Sequence, residues 1–360
     1  MSYKYNPLTG GFSPVPEKPS NIRYLQGVSG GLFNGEDLNW GSKDDLHDTL
    51  QVGQGDAGRD AIIELVNHNI QLTSASPYFR FQFDGPNSGL LAKSSSIVIQ
   101  RTDAPSADDK YNHAISVTDF PRVGIHIGSL IVVSQQDDSA TPTYKAGVFH
   151  VKEGGANIEI DTCAYIQFGQ TMGNNAFITW KLDGDEQQPV IYKGNVTQIG
   201  FGPTGGSVVR IESASWSPRS VHIQGGIIVL SSMAPTGNRI SHSSNQSQYN
   251  RDGIVISDAT IVLESGQWGF GGVDLLNCRV KVKNGAQIGS APQRVHDCTF
   301  EYEDTSANLF MTAFGTVATN SLSNVGNDGS VSISYGSIYT SSYIRVTDPI
   351  NIQSPFGALP

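Results

Sequence analysis

Basic side chains, cysteines and long apolar runs are all scarce in this 360-residue chain. Lysine and arginine number 23 against 33 aspartates and glutamates, a net charge of −10. That balance excludes a nucleic-acid binder built on a basic stripe, and an acidic surface by itself denotes solubility. Three cysteines cannot complete an intramolecular disulfide framework. The eight histidines show neither H-E-x-x-H nor H-x-x-x-H spacing and Cys-x-x-Cys is missing, so no metal and no cofactor is expected. A G-x-S-x-G nucleophile elbow is also missing. No apolar run approaches the length of a membrane span, and Met1 to Tyr5 carries no apolar signal core. Membrane insertion and a secretory address are therefore not expected.

What the chain does have is glycine, 40 residues of it, and a short phrase repeated three times. Ile256, Leu275 and Val295 each open a phrase with Asp or Asn two residues on, at Asp258, Asn277 and Asp297. A small residue follows (Ala259, Cys278, Cys298), then apolar or aromatic side chains at alternate positions, ending at Leu263, Val282 and Tyr302. The openings lie 19 and 20 residues apart. Alternation puts the first, sixth and eighth positions on one side of the chain. Asx residues tolerate left-handed backbone and suit a bend between two short strands. A short strand returning at fixed period is the mark of a solenoid, and the reading is all-β, a right-handed parallel β-helix. Ile223 to Leu230 is a weaker copy with Gly225 at the bend, and Ile125 to Val132 another without a polar bend residue. The 33 residues from Ile223 to Ile256 imply an inserted polar loop at 233 to 252. Cys278 and Cys298 fall at equivalent places of adjacent coils, which predicts neighbouring, reduced, buried thiols.

The chain divides by character. Residues 1–40 are Pro- and Gly-rich and read as an N-terminal arm. In 41–72, Ile62, Ile63, Leu65 and Val66 predict a short amphipathic helix over 58 to 68, capping one end of the shaft. Residues 73–305 form the shaft, about eleven coils and about 50 Å long if every coil holds about 20 residues. Residues 306–360, with strands near Ser330 to Ser334 and Tyr343 to Val346, form a β-rich C-terminal cap.

Candidate chemistry is sparse. Gly53, Gly55 and Gly58 make a formal G-x-G-x-x-G, but no buried strand precedes it and no βαβ alternation follows, so the glycines mark a turn. Asp183, Asp185 and Glu186, beside Trp180, make the densest acidic cluster, which reads as a solvated hairpin turn or as a carboxylate pair for glycan cleavage. Aromatic residues beside Gly-rich turns, with Trp180, Trp216 and Trp268 foremost and Tyr192, Phe201 and Phe270 after them, offer either core packing or an apolar face for a sugar.

The chain resembles bacteriophage tail fibres and tailspikes. Tyr3 to Phe12 looks like the Tyr/Phe-Asn-Pro-x-Thr-Gly start of phage tail and virion proteins, Gly55 to Ile63 is similar to the Asp- and Ala-rich helix that opens tailspike β-helices, and the 256 to 302 phrases look like their coils. The resemblance implies a homotrimer located in the virion, docked to a tail or baseplate adaptor through Tyr5, Asn6, Pro7, Thr9, Gly10 and Phe12. It also implies that bacterial surface polysaccharide is the ligand. No catalytic motif of the family falls on these residues, so glycan binding is expected before enzymatic activity. A polysaccharide depolymerase and a purely structural virion protein are the alternatives.

Overall fold

The computed structural model describes residues 62–302 apart from 66, 68, 75–79, 85–87, 102–110, 119, 136–144, 153, 169–175, 183–187, 202–204, 214–219, 244–252, 291 and 293. Beyond that span it describes only short strands within 3–52 and 309–346. No helix occurs among the described residues. The fold is an all-β parallel solenoid, and each coil carries strands on three faces. In one coil Gly253–Ser257 lies on the first face, Asp258 makes the bend, Thr260–Leu263 lies on the second and Gly266–Gly269 on the third.

Register shows how the phrases stack. Ile223 pairs with Ile256, Ile256 with Leu275 and Leu275 with Val295. Ile228 pairs with Ile261, Ile261 with Val280 and Val280 with Phe300. Ile223, Ile256 and Leu275 in the first column, and Ile228, Ile261, Val280 and Phe300 in the second, point inward and are buried, which is where the alternation of the phrase places them. Asp258, Asn277 and Asp297 have φ of 55°, 50° and 53°, the left-handed conformation expected at the bend. Gly225, in the weaker copy, has φ 70°.

The same columns continue toward the N-terminus with a longer period. Leu90 pairs with Ile125, Ile125 with Ile158, Ile158 with Tyr192 and Tyr192 with Ile223, steps of 35, 33, 34 and 31 residues. The coil of about 20 residues expected throughout is therefore confined to the last repeats. The 33-residue step after Ile223 is the ordinary coil of the rest of the shaft. Part of its polar stretch is no insertion either, since Asn238–Ser243 is the third-face strand of that coil, pairing with Ser207–Ser213; residues 244 to 252 lie outside the described residues.

The capping helix is also corrected. Ile62–Glu64 is a strand paired with Gly89–Arg101, and Asn67 has φ 55°. Leu65, Asn67, Ile70 and Leu72 match the first, third, sixth and eighth positions of the phrase. The neighbouring coil supplies the backbone partners that a helix would have supplied internally. Leu65 N donates to Leu91 O at 2.8 Å, Ser95 Oγ to Leu65 O at 3.1 Å, and Ser94 Oγ accepts from Asn67 N at 3.0 Å. A run such as Ile62, Ile63, Leu65 and Val66 satisfies both periods, and the adjacent sheet decides. Residues 53 to 61, including the three glycines of the G-x-G-x-x-G, lie outside the described residues.

Parallel pairing extends past the expected shaft limits. Leu32–Phe33 pairs with Asn69–Ser74, Thr49–Val52 with Arg80–Asp84, and Tyr343–Val346 with Thr299–Tyr302. Tyr3–Asn6 and Gly11–Pro14 form an antiparallel hairpin in which Tyr5 faces Phe12 and Asn6 faces Gly11. Pro7, Thr9 and Gly10 lie outside the described residues.

None of the three cysteines is in a disulfide, and all three are buried. Cys278 N donates to Cys298 Sγ at 3.3 Å, so the two thiols are neighbours as the repeat predicts. The hydrogen bond with the Cys298 thiol holds Cys278 below the usual thiol range despite burial. Cys163 pairs with Leu130 and Val196 in an aliphatic column, and burial pushes its thiol far above the usual range.

Candidate functional site

Of the six aromatic side chains proposed from sequence to meet a sugar, four are core. Trp180 and Trp268 are each 1% exposed, and their indole N–H groups donate to Gly154 O at 3.0 Å and Ser265 O at 2.9 Å. A buried indole with its one donor satisfied by backbone holds its strand to a turn, that of the preceding coil for Trp180 and its own for Trp268, and shows no ring face to solvent. Tyr192 and Phe270 are buried as well, and Tyr192 packs edge-on to Phe177 with ring centroids 5.2 Å apart. Trp216 and the acidic cluster Asp183, Asp185 and Glu186 lie outside the described residues.

Phe201 is different. It is 45% exposed, and its ring lies parallel to that of Phe168, itself 43% exposed, with centroids 4.9 Å apart and planes within 8°. The solenoid generates this pair. Gln167 is in register with Gly200, and Phe201 N donates to Gln167 O at 2.9 Å, so each Phe leaves its second-face strand at the same corner of adjacent coils. One coil on, Met233 takes the equivalent corner, its N donating to Gly200 O at 2.9 Å, and is 70% exposed. The result is an apolar ladder of Phe168, Phe201 and Met233 along one edge of the shaft. Large apolar side chains gathered on a surface mark a contact site more often than isolated ones do. The 4.9 Å separation is the spacing of neighbouring strands. The rings are thus fixed by the backbone ladder.

Phe168 was missed in the sequence although a signal exists. Both rings precede a glycine at a strand end, Phe168 before Gly169 and Phe201 before Gly202, and they are 33 residues apart. That is the period of the longer coils.

A polar groove of about 430 Å³ begins on the coil that carries Met233. Its walls include Asn238, Arg239, Ser241, Gln267 and Ser290, and glycines provide the rest of the lining. Arg239 and Gln267 stand on the outer side of the third face, opposite the buried Ile240 and Trp268. Gly269 is paired with Arg239, so the next coil sets no side chain against the guanidinium. Glycine keeps this floor low, since a Cβ on Gly289 would meet Gln267 Cγ at 2.7 Å and one on Gly269 would meet Ser290 Oγ at 2.9 Å. Asn238 is committed to the fold. Its Nδ2 donates to Ala234 O at 3.1 Å and Gln267 O at 3.2 Å, and its Oδ1 accepts from Gly206 N at 3.3 Å.

Searches among protein families, curated proteins and solved structures return no match.

Charged clusters elsewhere on the shaft join coils to one another. Glu159 accepts from Lys93 Nζ at 2.8 Å and lies 3.1 Å from His126 Nδ1. The hydrogen bond from Lys93 holds the Glu159 carboxyl below the usual carboxylate range. Arg279 forks onto Glu301, Nε to Oε1 at 2.9 Å and Nη2 to Oε2 at 2.8 Å. Each cluster spans coils and is satisfied within the protein.

Proposed function

We propose that this chain is a receptor-binding virion protein of the tail-fibre or tailspike kind, whose shaft binds bacterial surface polysaccharide along the Phe168, Phe201 and Met233 edge. The observation that carries the binding reading is the stacked, half-exposed Phe168 and Phe201 pair. Sugar rings have apolar C–H faces and polar rims, and an apolar edge of stacked rings beside hydroxyl, amide and guanidinium groups complements both. A parallel solenoid suits an extended polymer because its surface repeats at the strand spacing along one axis. The virion assignment rests on the Tyr3 to Phe12 resemblance. With it come attachment to a tail or baseplate adaptor through the N-terminal hairpin and a trimeric assembly.

The test is retention of purified full-length protein on host cells and on immobilised polysaccharide from the same cells. Phe168→Ala combined with Phe201→Ala is expected to weaken retention at least about ten-fold, a loss of about 1.4 kcal/mol, with an unchanged circular-dichroism spectrum. Undiminished retention by the double variant removes the ladder from the binding surface. Release of reducing ends by the wild-type protein would make it a depolymerase.

A further inference from the structure

The groove beside the ladder has a chemical preference of its own. None of its lining residues is Asp or Glu, although the chain as a whole carries a charge of −10. Its one charged side chain is Arg239, exposed and without an ion pair among the described residues. The wall around it is hydroxyl and amide, from Ser241, Gln267 and Ser290. A guanidinium presents a planar fork of donors that matches a carboxylate with two parallel hydrogen bonds, which a neutral hydroxyl pair does not reproduce.

We propose that this groove binds an acidic sugar residue of the uronate class, its carboxylate on Arg239 and its hydroxyls toward Gln267 and Ser241. The assignment rests on the polysaccharide reading above and adds a charge requirement to it. The fold brings the parts together at one place. The ladder ends at Met233 and the groove opens at Gly237 on the same coil, so a polymer bound at the ladder has the groove beside it. Asn238, locked to three backbone groups, fixes the start of the strand on which Arg239 stands. The guanidinium is thereby placed without bonding the ligand through Asn238.

Full-length protein is applied to an array of immobilised uronate-containing polysaccharides, the same polymers after carboxyl reduction, and neutral polysaccharides. The wild type is expected to retain one or more uronate polymers and to lose at least ten-fold in affinity when their carboxyls are reduced. Arg239→Gln is expected to lose the same factor on the acidic polymer and nothing on its reduced form, while Arg239→Lys recovers part of the loss. Phe168→Ala should weaken acidic and reduced forms alike. Equal binding of acidic and reduced polymer, or wild-type affinity in Arg239→Gln, overturns the charge requirement and leaves the polysaccharide reading standing. Retention of no polymer of either kind overturns both. Because Arg239 is exposed, an unchanged thermal melt is expected for its variants and shows that the folded protein is being compared.

Discussion

The shaft has two gauges, coils of 31 to 35 residues between Leu90 and Ile256 and coils of 19 and 20 from there to Val295. Both close the same three-faced cross-section and bury the same columns. In the compact coils each element is near its minimum, with strands of four or five residues and an Asx bend. All but the last of the longer coils run first and second faces together, as in Ala156–Phe168, and their third-face strands reach eight residues. Extra length therefore goes into the corners and the third face while the stacking register is kept. The corners are also where Phe168, Phe201 and Met233 stand, and the groove opens where the gauge changes. The compact coils are scaffold in its shortest form, and the longer ones spend residues on surface.

If the core is common to both gauges, removing a large buried ring should hurt them equally. Trp180→Ala in a long coil and Trp268→Ala in a compact one are each expected to cost about 3–5 kcal/mol, read as lost hydrogen-exchange protection in the coils on either side of the change. A gap of more than about 2 kcal/mol between the two would break the idea of one core.

The bends separate the gauges more sharply. A Cβ on Gly194 would lie 1.7 Å from Ile160 O, at φ 125°, so the backbone of the coil below must move to admit it. Gly194→Ala is expected to cost about 3 kcal/mol or more. Asp258, at φ 55°, needs tolerance of left-handed backbone and accepts one exposed hydrogen bond from Asn277, so Asp258→Ala is expected to cost roughly 1–2 kcal/mol and Asp258→Gly less. Denaturant titrations of the three variants check the order, and a Gly194→Ala protein as stable as Asp258→Ala would contradict it.

The smallest effect belongs to the ion pairs that tie coils together on the first face. The Lys93 hydrogen bond lowers the folded-state pKa of Glu159. The sign follows from linkage: its contribution is present above the ordinary carboxylate pKa and is lost as pH falls through the lowered value. Both partners are solvated, so Glu159→Gln should shift the melting temperature by no more than about 2 °C at neutral pH, and the difference from wild type should vanish in acid. A difference that grows on acidification would reverse the assignment.

Much of the fold was legible because the compact coils are short enough for their repeats to be read side by side. Asp258, Asn277 and Asp297 announced the bend, and Gly225 was recognisable as its substitute. Cys278 and Cys298 followed from the same spacing. The long coils hid the rule, because between successive copies lie corners and third-face strands of unrelated composition. Leu65 to Leu72 was obscured by the helical look of Ile62 to Val66, which only the neighbouring coil resolves. Trp180 and Trp268 sit beside turns in sequence, yet each lies on a third-face strand with its ring turned inward. The exposed ladder needed the 33-residue period, and that period was visible only once the pairing was known.

Three near-interchangeable phrases in succession pose a problem of order, since a growing solenoid can dock a coil on the wrong neighbour. The side chains at the bends write an address. Asn277 Nδ2 donates to Asp258 Oδ1 at 2.7 Å, so an amide separates the carboxylates of Asp258 and Asp297 along the stack. Skipping the middle coil would bring those carboxylates together. It would also remove Arg279 from Glu301 and put Glu301, which follows Lys281 in its column, directly against Val262. Each wrong neighbour is penalised by charge and the right one is rewarded, which is specificity by exclusion of alternatives. The alternation Asp, Asn, Asp thus does for the order of coils what the left-handed bend does for their shape.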